Sequence, residues 1–275
     1  MIFVLYNPES EKVKRTKKLY KRISKKNDCY MLNLFDIATK EESFIGGLTE
    51  NDEIILCGGD GTANRFLNSI KNLDVKCKIY LFSCGLGNDL KRNFKNSKYV
   101  DLGALRKTFP IVNVNDGEEY IFVNGVGIGI DAVICKNRKM LCYADKKKSY
   151  ASIALRSFKN FRTYNLTVEI DDQKFHFDNV WTVVCNNGRY IGNGMKIAPK
   201  AVRNNNELDI VIIHSVSRLR LLLFFPLIYL GLHTILKRRV AYFKCRHFKA
   251  IPDGCGSMQM DGETIDYCEQ IEVNV

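Results

Sequence analysis

Two carboxylates in this sequence sit among glycines in a way that could do phosphate chemistry. Asp60 lies within Cys57-Gly58-Gly59-Asp60-Gly61-Thr62-Ala63-Asn64, and Asp89 closes Ser83-Cys84-Gly85-Leu86-Gly87-Asn88-Asp89-Leu90. The apolar run 54–57 before the first turn reads as a buried parallel strand. Phe66, Leu67 and Ile70 after it are spaced as a helix face. A strand, a glycine turn and a helix leave backbone N–H groups at the helix N-terminus, where a phosphate can be held. Three glycines remove side chains that would keep the backbone away from such a ligand. A carboxylate beside phosphate calls for a divalent cation between the like charges. The turn by itself is equally compatible with an ordinary α/β loop in which Asp60 caps its own helix.

The elements that would position these residues follow a simple order. Residues 2–6 form a first buried strand, stopped by Asn7-Pro8 because proline cannot continue a central strand. Residues 11–26 form a basic helix with Val13, Leu19, Tyr20 and Ile23 on one face, read as a solvated face in preference to a lipid patch. Strands at 29–34 and 78–82 follow, so both Asp turns stand at the carboxyl ends of strands of one doubly wound, mostly parallel sheet. From about residue 106 the pattern changes to short β runs. Asn115-Asp116-Gly117 is a hairpin signal between 108–114 and 119–124. The glycine segment 125–129 reads as a flexible stretch where two backbones approach closely, 136–148 as a basic loop or short helix, and 150–161 as a helix. Strands at 166–170 and 180–185 complete the pattern. The expectation is an α/β domain over 1–105 and a mainly antiparallel β-sandwich domain over 106–275.

The chain has 275 residues with a net charge of +12, which calls for an anionic partner: nucleotide, membrane surface or nucleic acid. Nucleic acid is set aside, since the basic stretches lack interleaved aromatic residues for stacking. Ten cysteines without a Cys-x-x-Cys pair, with Cys57, Cys135 and Cys185 in apolar runs, suit a reducing cytoplasm. Four scattered histidines offer no zinc spacing. The N-terminus does not read as a signal segment. Residues 219–236 are the most apolar, yet Pro226, Gly231 and flanking Arg218, Arg220, Lys237, Arg238 and Arg239 make them too short and too interrupted to span a bilayer. They read either as a helix buried on the sandwich or as one at the mouth of a lipid cleft, its basic flanks meeting anionic headgroups.

Gly58-Gly59-Asp60-Gly61-Thr62 resembles the nucleotide-binding signature of the diacylglycerol kinase catalytic-domain family, which includes bacterial lipid kinases and sphingosine kinases; NAD kinases share the turn in looser form. Gly85, Asn88 and Asp89 match the family's second signature, with Ser83 and Leu86 replacing proline and threonine. Asn124 to Ala132, Asn186-Asn187-Gly188, Gly192 to Ala201 and Asp261-Gly262-Glu263 match later landmarks in order. The resemblance implies an ATP- and Mg²⁺-dependent lipid kinase with its active site between two domains, diacylglycerol being the first substrate to consider. It implies that Asn7, Gly58, Gly59, Asp60, Gly61, Thr62, Asn64, Gly85 and Asn88 hold the nucleotide and that Asp60 and Asp89 hold the metal. Glu263 would be the general base, with Asp60 and Asp261 also catalytic. It further implies a cytoplasmic protein, peripheral at the inner face of the cell membrane. Asp60→Ala is expected to abolish transfer and leave the fold intact. Departures from the pattern are Leu86, Arg65, and Asn205 where the family's metal-associated Asp-Gly-x-Leu-Asp begins; Asn205 and Asp209 are the weak metal candidates there. These departures keep open a non-catalytic lipid-binding relative, and the shared turn keeps open an NAD kinase.

Overall fold

The structure is a computed structural model that describes residues 1–8, 12–37, 41–85, 88–94, 96–144 and 150–275. The chain divides into two compact units, Met1–Phe109 and Pro110–Val275. The division falls four residues beyond the expected 105/106. Arg106–Thr108 forms a 3₁₀ turn whose Arg106 Nη2 donates to Leu73 O at 3.0 Å, tying it to the first unit.

The first unit runs β1 (Ile2–Tyr6), α1 (Val13–Ile23), β2 (Cys29–Asn33), α2 (Leu34–Ile37), α3 (Glu41–Gly46), β3 (Glu53–Gly58), α4 (Asp60–Ser69), β4 (Lys78–Ser83), α5 (Asp89–Arg92), β5 (Val100–Asp101) and α6 (Leu102–Leu105). The sheet order is β2-β1-β3-β4-β5, parallel except for β5, which runs antiparallel to β4. Its strands are near-continuous apolar runs because both faces are covered; Val4, Leu5, Ile54, Leu56, Ile79 and Leu81 are buried. In this order the chain reverses direction of growth between β1 and β3, and a crevice opens at their carboxyl ends. Tyr6 pairs with Cys57 and Gly58 with Ser83, so Asn7 and both glycine turns leave the sheet at one level. On α1, Thr16 and Leu19 are the buried contacts, and the lysines that cover the helix are exposed.

The second unit holds β6 (Ile111–Val114), β7 (Glu118–Ile121), β8 (Gly125–Gly129), α7 (Ile130–Ala144), α8 (Tyr150–Asn160), β9 (Tyr164–Ile170), β10 (Gln173–Asn186), β11 (Leu208–His214), α9 (Arg218–Leu230), β12 (Val240–Cys245), β13 (His247–Pro252), β14 (Gly256–Met260), β15 (Glu263–Cys268) and β16 (Ile271–Asn274). All the strands join one antiparallel eleven-stranded sheet, which makes the sandwich a single curled sheet. Alternation sorts its side chains into two cores. Val183, Ile210 and Ile212 point into the inner core, while Val184, Val211 and Ile213 point into a second one that α8 and α9 cover.

One expectation is refined here, and another that left two alternatives open is decided. The glycine segment 125–129 is a buried strand, β8, paired with β10 and β14. Its glycines serve close approach: a Cβ on Gly127 would stand 2.8 Å from Val183 O, and one on Gly129 would stand 2.4 Å from Trp181 O. Residues 130–144 form one continuous helix, so the helical alternative holds for 136–144, and the remainder of that segment, 145–148, lies outside the described residues. The Asn115-Asp116 turn has φ of 54° at both residues, the left-handed geometry of a tight hairpin turn, and Val114 pairs with Glu118 across it.

Candidate nucleotide turns and lipid pocket

In the first unit the two glycine turns are bound directly to each other. Cys84 N and Gly85 N both donate to Gly58 O, at 3.0 and 3.1 Å. A Cβ on Gly85 would stand 2.5 Å from Gly59 N and Cα, and one on Gly58 would strike the Thr62 side chain at 2.4 Å. Gly85 is therefore required for turn-on-turn packing and Gly58 for the close fit of Thr62 within its own turn, in addition to any ligand approach. Asp60 completes the join. Its Oδ2 accepts from Asp89 N at 2.7 Å and its Oδ1 from Leu90 N at 3.1 Å.

Asp60 thus caps α5, the helix of the other signature, and not its own. Asn88 occupies the cap position of α5 without capping it by side chain; its Nδ2 donates to Gly85 O at 2.9 Å. The expectation that Asp60 has no part in the fold is corrected accordingly: it is buried and holds two backbone N–H groups. Asp89 is buried beside it and pairs with Arg92 Nε at 3.3 Å. Asn64 is buried one turn into α4 and accepts from Asn68 Nδ2.

The N-terminus of α4 follows Gly59 with no side-chain cap, which leaves its first N–H groups facing the crevice end of the sheet. Lys12 was not anticipated: its Nζ donates to Gly85 O at 2.9 Å, bringing a cation to the second turn. In the sequence it was hidden among many lysines at the start of a helix. Beneath the turns, Cys57 Sγ donates to Ile55 O at 3.8 Å and Cys84 Sγ meets Thr16 Oγ1 at 3.5 Å, and the interaction of the two buried thiols pushes Cys57 up and Cys84 down. Arg65 is exposed on α4, while Leu86 and Gly87 lie outside the described residues.

Mg²⁺ is commonly held by one or two carboxylates together with substrate phosphates and water. Asp60 and Asp89 form such a donor set. Each carboxylate oxygen has two acceptor sites, so one N–H bond to each oxygen of Asp60 does not exhaust it. They fit a metal that arrives with a nucleotide.

The second metal position does not fit. Asn205 is turned onto Glu207, with Nδ2 donating to Oε2 at 2.9 Å and Oδ1 accepting from Glu207 N at 3.2 Å. The Lys244 ammonium stands between Glu207 Oε2, at 2.9 Å, and Asp209 Oδ2, at 3.8 Å. Asp209 is buried, accepts from the Tyr242 hydroxyl, and has its pKa raised by burial. A built-in cation fills the place, and among the described residues no group of three metal-ligating side chains is present.

In the second unit Asp261 and Gly262 form a two-residue turn with φ of 50° and 92° between β14 and β15. The Asp261 carboxylate accepts from the N–H groups of Val123, Asn124 and Gly125, at 2.5, 2.7 and 3.4 Å. It anchors the start of β8, a structural task that the catalytic assignment of Asp261 did not foresee. Arg203 supports the same corner, donating to Val123 O at 2.6 Å and Asn124 Oδ1 at 2.5 Å. Glu263 opens β15 in a half-buried position. Asp131 is held by Thr182 Oγ1 at 2.7 Å and Gln259 Nε2 at 3.0 Å, and burial raises its pKa.

Near it a cavity of about 660 Å³ opens between α7, α8 and the sheet, lined by apolar groups such as Ile128, Val133, Ile153 and Phe161. Nothing in the sequence pattern announced it. Among the described residues, no helix is long and apolar enough to cross a membrane.

Residues 1–109 match the diacylglycerol kinase catalytic domain, and residues 124–270 match the YegS C-terminal NAD kinase beta sandwich-like domain. YtlR of Bacillus subtilis, assigned by name to the lipid kinases, is 30% identical over 200 residues, which span 66% of this chain and 64% of that protein. The diacylglycerol kinase of Mycobacterium tuberculosis is 24% identical over 218 residues, 74% of this chain and 70% of that one. A solved Bacillus anthracis structure superposes over 99% of this chain and 91% of its own, with a TM-score of 0.69 at 19% identity, a likeness of fold. With both parts of the chain matched in order, it belongs to the diacylglycerol kinase catalytic-domain family in its YegS-like, two-domain form.

Proposed function

We propose that this protein transfers the γ-phosphate of ATP to the hydroxyl of a membrane lipid, diacylglycerol being the favoured acceptor and phosphatidic acid the product. The observation that carries this reading is the Asp60 bridge. It fuses two signature turns into one rigid platform at the carboxyl end of a parallel sheet, which is where such sheets bind nucleotides. The uncapped N-terminus of α4 supplies oriented N–H groups for phosphate oxygens, and Lys12 adds positive charge at the second turn. Asn7, Thr62, Asn64 and Asn88 complete the nucleotide-holding set in this proposal.

Asp60 and Asp89 would hold Mg²⁺, which when bound neutralises charge on the phosphoryl oxygens. Glu263 would accept the proton of the lipid hydroxyl as the oxygen attacks phosphorus. The cavity beside Ile128 and Phe161 suits an acyl chain better than a dinucleotide, and its size is that of a ligand site. Use of ATP and a lipid acceptor would put the protein on the cytoplasmic face of the membrane.

The test is incubation of the purified chain with γ-labelled ATP and a total lipid extract. Label in phosphatidic acid is expected. Label in another lipid would move the substrate, and label in NADP after addition of NAD would make it an NAD kinase. No label together with no calorimetric binding of Mg-ATP would leave a non-catalytic lipid binder.

A further inference from the structure

From Leu221 onward helix α9 is apolar all round, and such a helix ordinarily belongs in a core. Here only part of it is covered. Leu221 and Ile228 are buried, and Leu222, Phe224 and Phe225 pack on the second core of the unit. The other side faces outward. Leu219, Leu223 and Leu230 are 69, 73 and 63% exposed, and with exposed Pro226 they recur at i, i+4, i+7 and i+11, one line along a helix. Past the left-handed Gly231, Leu232 and Ile235 are also exposed, Ile235 by 71%. Single exposed leucines need no account, but a continuous stripe marks an interaction surface.

The charges around the stripe name the partner. Arg218 and Arg220 stand at its start, Lys237 and Arg238 at its end, and all four are exposed. No Asp or Glu occurs between Asp209 and Asp253. An apolar line closed at both ends by cations, with no acidic residue in the whole segment, matches the boundary between anionic headgroups and acyl chains. Thirteen residues give a helix about 20 Å long, short of the roughly 30 Å of a hydrocarbon core. The helix would lie in the interface and not cross it.

We propose that the outward face of α9, with the exposed Leu232 and Ile235 that follow it, is a docking surface for an anionic lipid bilayer. Unlike the kinase reading, it requires neither ATP nor a lipid acceptor. The full chain should co-sediment with phosphatidylcholine vesicles containing phosphatidylglycerol, far less with phosphatidylcholine alone, and progressively less as salt is raised. Leu219→Ser combined with Leu223→Ser should weaken binding at least tenfold with unchanged melting, since both side chains are solvent-exposed. Lys237→Ala with Arg238→Ala should lower the dependence on phosphatidylglycerol. Lys17→Ala with Lys18→Ala, on the exposed basic face of α1, should change binding little.

In Leu223→Trp the emission should shift to shorter wavelength on vesicle addition, because buried Trp181 keeps its environment. No vesicle binding by the wild type, full binding by the stripe variant, or no shift in Leu223→Trp would overturn the proposal. So would a wild-type dimer that the stripe variant dissociates without loss of vesicle binding, which would make a second copy of the chain the occupant.

Discussion

Asp60 shows how one side chain can join two motifs that are 29 positions apart in sequence. Its carboxylate accepts the buried N–H groups of Asp89 and Leu90. Asp60→Ala strands both donors, at roughly 1–3 kcal/mol each. We expect the first unit to lose about 2–5 kcal/mol of stability along with all turnover, and Asp60→Asn, which keeps one acceptor, to lose about half as much stability. Melting followed by circular dichroism checks this, and an Asp60→Ala chain as stable as wild type would show that the bridge holds nothing. Glu263 offers the contrasting case. It opens a strand in a half-buried position, so Glu263→Ala should remove turnover with little change in melting.

Leu86, outside the described residues, replaces a family threonine. A missing donor to a charged group costs roughly 1.5–3 kcal/mol, so Leu86→Thr should improve use of ATP by about ten- to a hundredfold. Steady-state kinetics in varied ATP would detect it.

Two loops show how elements are held without a metal. Lys244, on β12, places its ammonium against Glu207 and the buried Asp209 at the start of β11. Lys244→Met should leave Asp209 without its cation and, since Lys244 is itself partly exposed, cost roughly 1 kcal/mol or less, whereas neither Mg²⁺ nor a chelator should move the melting of the wild-type second unit. A chelator-sensitive wild type would return a metal to this place.

Before β3, Asp52 accepts from Thr49 N at 2.9 Å and Thr49 Oγ1 at 2.8 Å. The Thr49 backbone bond first, then the N-terminal ammonium and the Thr49 hydroxyl, lower its pKa from the ordinary 3.8 to about 2. A depressed carboxyl contributes its stability above the ordinary value and loses it as pH falls towards the folded one. The stability gap between wild type and Asp52→Asn should therefore be full at neutral pH and shrink between pH 4 and pH 2, as urea titrations at each pH would reveal.

At the scale of the molecule, each unit carries its own core. Val4, Leu19, Ile55 and Cys57 belong to one, and the two faces of the curled sheet supply the others. The chain has a single tryptophan, and Trp181 is buried in the second unit, stacked on Phe161. Its fluorescence therefore reports that unit alone. In Asp60→Ala, urea unfolding followed by circular dichroism should gain an early phase that tryptophan fluorescence does not share. Coincident shifts in both signals would mean that the two units unfold as one.

Local chemistry determined much of this in advance. The apolar run 54–57 ending in glycine read as a buried strand and turn, and Asn115-Asp116-Gly117 as a tight hairpin, because backbone sterics act within a few residues. Motif order likewise gave the family. What the sequence could not carry were the pairings made across long separations. Asp60 caps a helix 29 residues away, Lys12 reaches Gly85, and Asp261 secures a strand that begins at Gly125. The glycines of β8 read in the sequence as a flexible stretch of close backbone approach; that they form a buried strand, and that Val183 O and Trp181 O are what press on it, appears only in the fold. The apolar segment at 219–230 left open which of its sides would be covered. Only packing against the second core decided that, burying Leu221 and Ile228 and leaving Leu219 and Leu223 facing outward.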